Sequence, residues 1–273
     1  MNELITEWKM KVNKVFKHVL VIAAIFANQN LASAATLDSV SHIHNVKVLG
    51  TQVLLGTHEG LYLYQGKNQM KMLGKENFDV MGLSISNGNI YASGHPNQGS
   101  KLSAPVGLIS SADKGVSWNQ ISLQGKVDFH MLEVNRSEIY GADSQSGNLM
   151  YSSNRGKTWN SIGLNKLQDL AIGNKEKSAF GILENKLIST DNAFKSHKLI
   201  KTPFPAQTVD VEGDLMYVSS NKTLYSSKNS GKSWQPVSIF KDPIALVSIS
   251  KQAIVVVAGQ SILISRDLGK SFI

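Results

Sequence analysis

Ser111-Ala112-Asp113-Lys114-Gly115-Val116-Ser117-Trp118 is a stretch that the chain repeats. It returns as Ser152-Ser153-Asn154-Arg155-Gly156-Lys157-Thr158-Trp159 and as Ser227-Lys228-Asn229-Ser230-Gly231-Lys232-Ser233-Trp234. A fourth copy, Ser265-Arg266-Asp267-Leu268-Gly269-Lys270-Ser271-Phe272, ends in phenylalanine. A worn copy lies at Ser189-Thr190-Asp191-Asn192-Ala193, where glycine and tryptophan are both lost. Aligned on Asp113, Asn154, Asp191, Asn229 and Asp267, the copies stand 41, 37, 38 and 38 residues apart. A fixed period of that size marks one supersecondary unit per repeat.

Each copy reads as a turn between strands. A short apolar run such as Val106-Gly107-Leu108-Ile109 ends at the serine. Asp113 or Asn154 then accepts hydrogen bonds from turn amides, and Gly115 or Gly156 takes a left-handed conformation. The aromatic residue opens the next strand, and its ring is expected to wedge between neighbouring sheets. None of this needs a substrate, so Asp113, Trp118, Asn154, Trp159, Asp191, Asn229, Trp234 and Asp267 are read as structural.

Outward from each turn the patterns give four short strands per repeat. In the second repeat they fall at 79–86, 89–93, 107–111 and 116–122, and in the third at 127–134, 138–142, 149–153 and 157–162. A first repeat without the motif fits 42–48, 52–57, 61–64 and 70–73. Three more repeats begin near Leu167, Gln207 and Ile244, making six units of about 40 residues. That is the blade length of a β-propeller, so the expected fold is all-β and six-bladed. The last outer strand, 270–273, is short, and 36–40 is expected to help close the ring.

The pattern Ser-x-Asp-x-Gly-x-Ser/Thr-Trp resembles the Asp box, or BNR repeat, of exported bacterial propellers labelled sialidase-like or glycosyl hydrolase. The likeness extends to a group that opens with His-Ile-His and contains Ser-Gly-His-Pro and Val-Asp-Phe-His. Here those are His42-Ile43-His44, Ser93-Gly94-His95-Pro96 and Val127-Asp128-Phe129-His130. The resemblance covers nearly all of the chain after residue 34 and implies the propeller fold. It says little about chemistry.

The first 34 residues read differently. Lys9, Lys11, Lys14 and Lys17 precede the apolar run 19–27, Asn28-Gln29-Asn30 break it, and Leu31-Ala32-Ser33-Ala34-Ala35 supplies small residues. This is the layout of a secretory signal peptide, with an apolar stretch too short to span a bilayer. Cleavage after Ala34 is expected, leaving the propeller at 35–273, exported to the periplasm or beyond the cell, with no transmembrane segment. Translation from Met10 would give a more typical signal length.

The chain has 273 residues, no cysteine and a net charge of +8, which falls to +6 once the signal's four lysines and two glutamates are removed. Absent cysteine excludes disulfides, thiolate metal sites and a cysteine nucleophile. The remaining lysines are scattered rather than clustered with stacking aromatics, so no nucleic-acid partner is expected. Only Arg136, Arg155 and Arg266 are arginines. Sialidases clamp the substrate carboxylate with three arginines from different blades, whose planar forks bind it bidentately. Arg155 and Arg266 sit in the motif turns, so sialidase activity is not expected. Photosystem assembly factors are also Asp-box propellers, associated with arginine-rich patches that this chain lacks. Sortilin-type receptors share the box but are larger and cysteine-rich.

In a propeller the first strand of each blade starts, and the second ends, on the face opposite the motif turns. First-strand starts carry His42 and His44, Asp79, Asp128 and His130, Asp169 and Asp210. Second-strand ends carry His58 and Glu59, His95 and Asp143. Three readings of this rim stay open. In the first, His42, His44, Asp128 and His130 hold a divalent transition metal, for which imidazole and carboxylate are suitable ligands. His42, His44, His58, Glu59, His95 and Asp169 would then contact a small-molecule, glycan or protein ligand. In the second, Asp79 and Asp128 are the carboxylate pair of a glycoside hydrolase. In the third, the polar groups only satisfy strand ends and buried water. The leading expectation is an exported binding module, non-enzymatic and monomeric. The segment from His95 to Pro105, rich in Gly and Ser, is the longest insertion at that rim, as in many binding loops.

Overall fold

The computed structural model describes Ala35–Ile273. The signal-peptide expectation for 1–34 lies outside the described residues. Strand β1 (Ala35–Thr36) leads into a single 3-10 turn, Leu37–Ser39. Blade 1 follows as β2 (Ile43–Leu49), β3 (Gln52–Thr57), β4 (Gly60–Gly66) and β5 (Gln69–Met72). Blade 2 is β6 (Phe78–Ser86), β7 (Asn89–Pro96), β8 (Leu108–Ser111) and β9 (Asn119–Ser122). Blade 3 is β10 (Phe129–Asn135), β11 (Glu138–Asp143), β12 (Leu149–Ser152) and β13 (Asn160–Ser161). Blade 4 is β14 (Leu167–Ile172), β15 (Ala179–Leu183), β16 (Lys186–Thr190) and β17 (Lys198–Ile200). Blade 5 is β18 (Thr208–Glu212), β19 (Leu215–Ser220), β20 (Thr223–Ser227) and β21 (Gln235–Ile239). Blade 6 has three strands, β22 (Ile244–Ile249), β23 (Ile254–Ala258) and β24 (Ser261–Ser265). Every pairing within a blade is antiparallel, and the inner strands follow one another around the axis until β22 meets β2. The protein is a six-bladed β-propeller. Among the described residues no helix is long and apolar enough to cross a membrane.

Each blade is a sheet with two apolar faces, so it gains stability only by stacking between neighbours. The central run Ile254-Val255-Val256-Val257-Ala258 of β23 is buried throughout, as β-branched strands covered on both faces are. Between blades 6 and 1, Val255, Val257 and Ile262 meet Leu55, Tyr62 and Met70 in one cluster. An equivalent cluster fills each of the other junctions. Each fully buried Val, Leu or Met side chain there contributes about 1.5–3 kcal/mol.

Ring closure differs from the expectation for 36–40. β1 adds to the outer edge of blade 1, with Ala35 opposite Met70 and Thr36 opposite Gln69, and supplies no strand to blade 6. Leu37 and Val40 instead pack into the cluster between blades 6 and 1. The fourth position of blade 6 is marked by Ile273 alone, which exchanges two backbone hydrogen bonds with Ile264, of 2.9 and 3.1 Å.

The repeated turns work through a small hydrogen-bond network. Ser111 Oγ accepts the Gly115 amide at 2.8 Å and donates to Asp113 Oδ1 at 2.7 Å. Asp113 Oδ1 also accepts the Ser117 amide at 2.9 Å, while Oδ2 accepts the Ser117 hydroxyl at 2.6 Å. In the second copy Asn154 Oδ1 accepts the Thr158 amide at 2.9 Å, and Nδ2 donates to the Thr158 hydroxyl at 2.8 Å. Because the turn holds these amides, the outer strands begin only after the tryptophan, shorter than the expected 116–122 and 157–162.

The worn copy is corrected by the same geometry. Asn192, not Asp191, accepts the Thr190 hydroxyl at 2.9 Å and the Ser196 amide at 3.0 Å. Asp191 is exposed and meets only Lys198, at 3.4 Å. Its repeat is therefore Thr190-Asp191-Asn192-Ala193-Phe194-Lys195-Ser196-His197, with Phe194 where the other copies have glycine. Phe194 adopts the left-handed φ of 57° and turns its buried ring edge-on to Tyr140 of blade 3, at 6.0 Å. At the matching Gly156, with φ of 78°, a Cβ would overlap the Leu108 side chain of blade 2.

Gly156→Ala is thus expected to lose about 1–3 kcal/mol from left-handed strain and overpacking. Gly147→Ala, at φ of 69° with open space around it, loses less. Urea denaturation of the two variants measures the difference. Asp113, held at about 2 by the hydrogen bonds of Ser117 and Ser111, makes a pH-dependent contribution. It is complete above about pH 4 and disappears as pH falls toward about 2. Asp113→Asn, which adopts the Asn154 arrangement, should fold normally and lose that slope in thermal melts over the same interval.

Candidate functional site

The strand register puts the rim residues on one face and the repeated turns on the other. Asp79 at the start of β6 lies opposite His95 at the end of β7, whereas Ile90 at the start of β7 lies opposite Ser111 at the turn. The same register puts His42 across from His58 and Asp128 across from Ser144. In all three blades the two positions are 16 residues apart. Two residues further on, β2 and β10 each carry a β-bulge, centred on His44 and His130. A bulge re-aims a side chain that regular pleating would send to the other face.

The histidines do not settle on their own blade's partner. His58 Nδ1 of blade 1 reaches Asp79 Oδ2 of blade 2 at 2.5 Å, and His44 Nε2 lies 3.2 Å from Asp79 Oδ1. His42, His44 and His58 pack together, with ring centroids 4.3–5.9 Å apart and one nitrogen of each within 4.8 Å of the others. Asp79 is 7 % exposed. Burial alone would raise its pKa, but the His44 imidazole beside Oδ1 and His58, hydrogen-bonded to Oδ2, outweigh this and hold it below the usual carboxylate value. His44 Nε2 and Asp79 Oδ1 are both buried without a hydrogen-bond partner. Glu59 steadies the approach, its Oε1 accepting the amide and hydroxyl of Ser41 at 3.0 and 2.8 Å.

One blade further on the arrangement recurs. His95 Nε2 of blade 2 reaches Asp128 Oδ2 at 2.8 Å, and His130 Nε2 reaches the same oxygen at 2.7 Å. The Ser144 hydroxyl donates to it as well, at 2.7 Å. Asp128 is wholly buried, and its Oδ1 has no partner. Burial again pushes upward and is outweighed by His130, Ser144 and His95, so this carboxyl too is held low. Asp143 Oδ1 fixes the strand start by accepting the Asp128 amide at 3.1 Å.

The residues expected to act together therefore separate. His42 and His44 belong to the Asp79 cluster, and Asp128 and His130 to the other. Asp169 joins neither: its oxygens accept the amides of Val209 and Leu170, at 2.7 and 2.9 Å, and tie blade 4 to blade 5. Asp210 does the same for blades 5 and 6 through the Ile249 amide at 2.8 Å. Ser144 was missed by sequence reasoning, although the constant 16-residue spacing from the first-strand rim position marks it. Arg136, between β10 and β11, lies beside the turn of Arg155, whose amide donates to Ser137 O at 2.8 Å. The Arg266 side chain bonds Thr51 O, between β2 and β3. All three arginines thus lie on the face opposite the rim histidines.

A second group missed from sequence occupies the channel. Lys47 Nζ pairs with Glu133 Oε1 at 2.5 Å, near Asp169 and Asp210. Burial would lower the Lys47 pKa, but the charges of Glu133, Asp210 and Asp169 carry it above the ordinary lysine value. Burial, with Asp210 nearby, pushes Glu133 up to about 7 despite Lys47, and burial pushes Asp169 up to about 7. Cavities of about 300 and 130 Å³ share Lys47, Glu133 and Asp210 in their walls. A third cavity, of about 380 Å³, lies between blades 1 and 6 beside His42, lined by Leu37, Val40 and Val257.

No protein-family model matches this sequence, and no curated protein does. Many solved structures share its fold. One described as YCF48 bound to D1 peptide superposes with a TM-score of 0.55 at 14% identity, over 90% of this chain and 84% of that one. A nidogen/laminin complex gives 0.61 at 9% identity, over 82% and 92%. XC5397 from Xanthomonas campestris, described as a gluconolactonase, gives 0.64 at 12% identity, over 89% and 92%. At such identities the likeness is one of fold: a β-propeller whose neighbours include a peptide complex, a protein complex and an enzyme.

Lys47→Met is expected to leave Glu133 buried without its counter-charge, at a cost of about 3–5 kcal/mol near neutral pH. Without Lys47, which lowers it, the Glu133 value rises further, and the cost should shrink near pH 5, where the protonated acid carries no charge with or without the lysine. Urea denaturation at the two pH values measures both numbers.

Proposed function

We propose that this protein is an exported propeller of Asp-box, sialidase-like type that binds divalent transition-metal ions at its histidine rim and engages a ligand or partner there. The observation that carries this reading is that two buried carboxylates, Asp79 and Asp128, each gather two imidazoles from adjoining strands and blades. Imidazole nitrogen and carboxylate oxygen are the donors that zinc, copper and nickel favour in the absence of thiolate. Asp128 Oδ1, buried without a partner, and the buried pair His44 Nε2 and Asp79 Oδ1, 3.2 Å apart without a hydrogen bond, are groups that a metal would satisfy. The peptide and protein complexes among the neighbouring folds agree with a binding role. The export signal read at 1–34 agrees with work outside the cytoplasm.

The alternative of glycoside hydrolysis by Asp79 and Asp128 lacks its proton donor. A glycosidase holds one carboxyl protonated near neutral pH. Both of these are pulled below the ordinary carboxylate value by their histidines.

Elemental analysis of the purified protein, after incubation with zinc and removal of free metal, tests the proposal. Retained zinc is expected, partly lost in His44→Ala and in His130→Ala and wholly lost in the double variant. Thermal melts confirm that each variant is folded. A fully folded, metal-free wild-type protein would remove the metal-binding reading.

A further inference from the structure

The aromatic residue that ends the repeated motif helps to fill the junction with the blade before it. Trp118 lies against Phe78, Trp159 against Phe129, Trp234 against Phe204 and Phe272 against Phe240, with ring centroids 5.0–5.6 Å apart. The ring reaches back: Trp159 of blade 3 packs with Ile121 of blade 2 and donates from Nε1 to the Ser122 hydroxyl at 3.1 Å. In blade 4 the corrected repeat has His197 at this position, and His197 is exposed. Phe194 makes up for the glycine of that repeat, deep in the junction beside Tyr140, and not for the tryptophan. The place where an indole would lie is open. A cavity of about 320 Å³ lies there, between Tyr151, Ser161 and Ile162 of blade 3 and Lys177, Ala193 and Lys195 of blade 4. Ile162 follows Ile121 by 41 residues, the same spacing as between their two motif copies, so it matches the wall that the Trp159 ring meets one junction earlier.

We propose that this vacated slot between blades 3 and 4 binds a free planar aromatic acid, its ring in the place of the missing indole and its carboxylate at Lys177 and Lys195. The site is separate from the histidine rim and does not depend on metal binding. Shape selects the ring. The slot repeats a position built for an aromatic side chain, and Tyr151 in its wall offers the surface for edge-on or offset contact. Its volume falls within the range of about 300–1,000 Å³ usual for small-molecule sites. Charge selects the acid. Lys177 and Lys195 are both exposed at the slot, where an ammonium group can pair with a carboxylate or approach the face of a bound ring. The acids nearby are already engaged. Glu176 lies 3.3 Å from Lys177 Nζ at the surface, and buried Glu138 accepts the Tyr151 hydroxyl and the Lys177 amide. Among the described residues no carboxylate stands within ion-pair distance of Lys195, which leaves its charge to the ligand.

Isothermal titration of the purified protein with indoleacetic acid, with indole and with N-acetyltryptophanamide tests this. Saturable binding of the acid is expected, with weaker binding of the two uncharged probes. His197→Trp restores the motif and should abolish binding of all three, while cavity filling raises the Tm by about 2–4 °C. Lys177→Gln/Lys195→Gln should weaken the acid about ten-fold and leave indole unchanged. If the Tm of His197→Trp does not rise, its ring is not seated, and Ile162→Trp, which fills the slot from the opposite wall, takes its place in the same titration. Wild-type protein that binds none of the probes overturns the proposal, as does undiminished binding in a variant whose slot is filled. Binding of N-acetyltryptophanamide as tight as that of the acid overturns it too, in favour of a tryptophan side chain presented by a partner protein.

Discussion

Each repeated turn presses one residue against the apolar side chains of the blade before it, and the ring depends on that contact. Leu61, Leu108, Ile200 and Val237 are the side chains met in this way by the turns of blades 2, 3, 5 and 6. The serine and aspartate of the motif hold the turn in shape, so that its inner side can come so close. Blade 4 breaks the pattern and shows what the constraint is. With Phe194 in place of glycine, the backbone keeps its left-handed conformation and the ring becomes part of the junction cluster with Tyr140 and Tyr151. The requirement is for a filled junction, met elsewhere by close backbone approach and here by an aromatic ring.

The same stacking that fills the junctions builds the rim. Because successive blades are rotated about the axis, the end of one blade's second strand lies beside the start of the next blade's first strand. His58 meets Asp79, and His95 meets Asp128, through this one step taken twice. The bulges at His44 and His130 add a second imidazole to each carboxylate. Both carboxylates stay ionised despite burial because the surrounding hydrogen bonds favour the charged form. The arginines, by contrast, lie on the turn face. Scaffold and site thus use opposite faces of the ring, which allows the turns to be uniform while the rim is not.

Inside the channel the chemistry runs the other way. Glu133 and Asp169 are pushed up toward neutrality, and Lys47 is set among them. Asp169 and Asp210 are bound to backbone amides of the next blade, as Ser84 is to the Val134 amide at 2.9 Å. These polar inner-strand residues join blades where apolar packing would leave strand amides unsatisfied. The channel acids therefore hold the ring together, which is why Asp169, expected at the rim, does not contribute there.

The period of the motif, the blade number, the strand order and the face carrying the histidines were legible in the chain. They follow from local rules of turn chemistry and strand alternation, which act within some forty residues. The worn repeat was misaligned by one residue because Asp191 and Asn192 are equally good turn residues, and only the hydrogen bonds to Thr190 and Ser196 distinguish them. Five rim histidines and two aspartates were also evident, but not their grouping. Pairing within a strand or across a hairpin can be counted along the sequence, whereas His58–Asp79 and His95–Asp128 form between blades, and Lys47–Glu133 forms across the channel. Those distances depend on how far each sheet is rotated from the last, and that rotation is decided by the packing of six junctions at once.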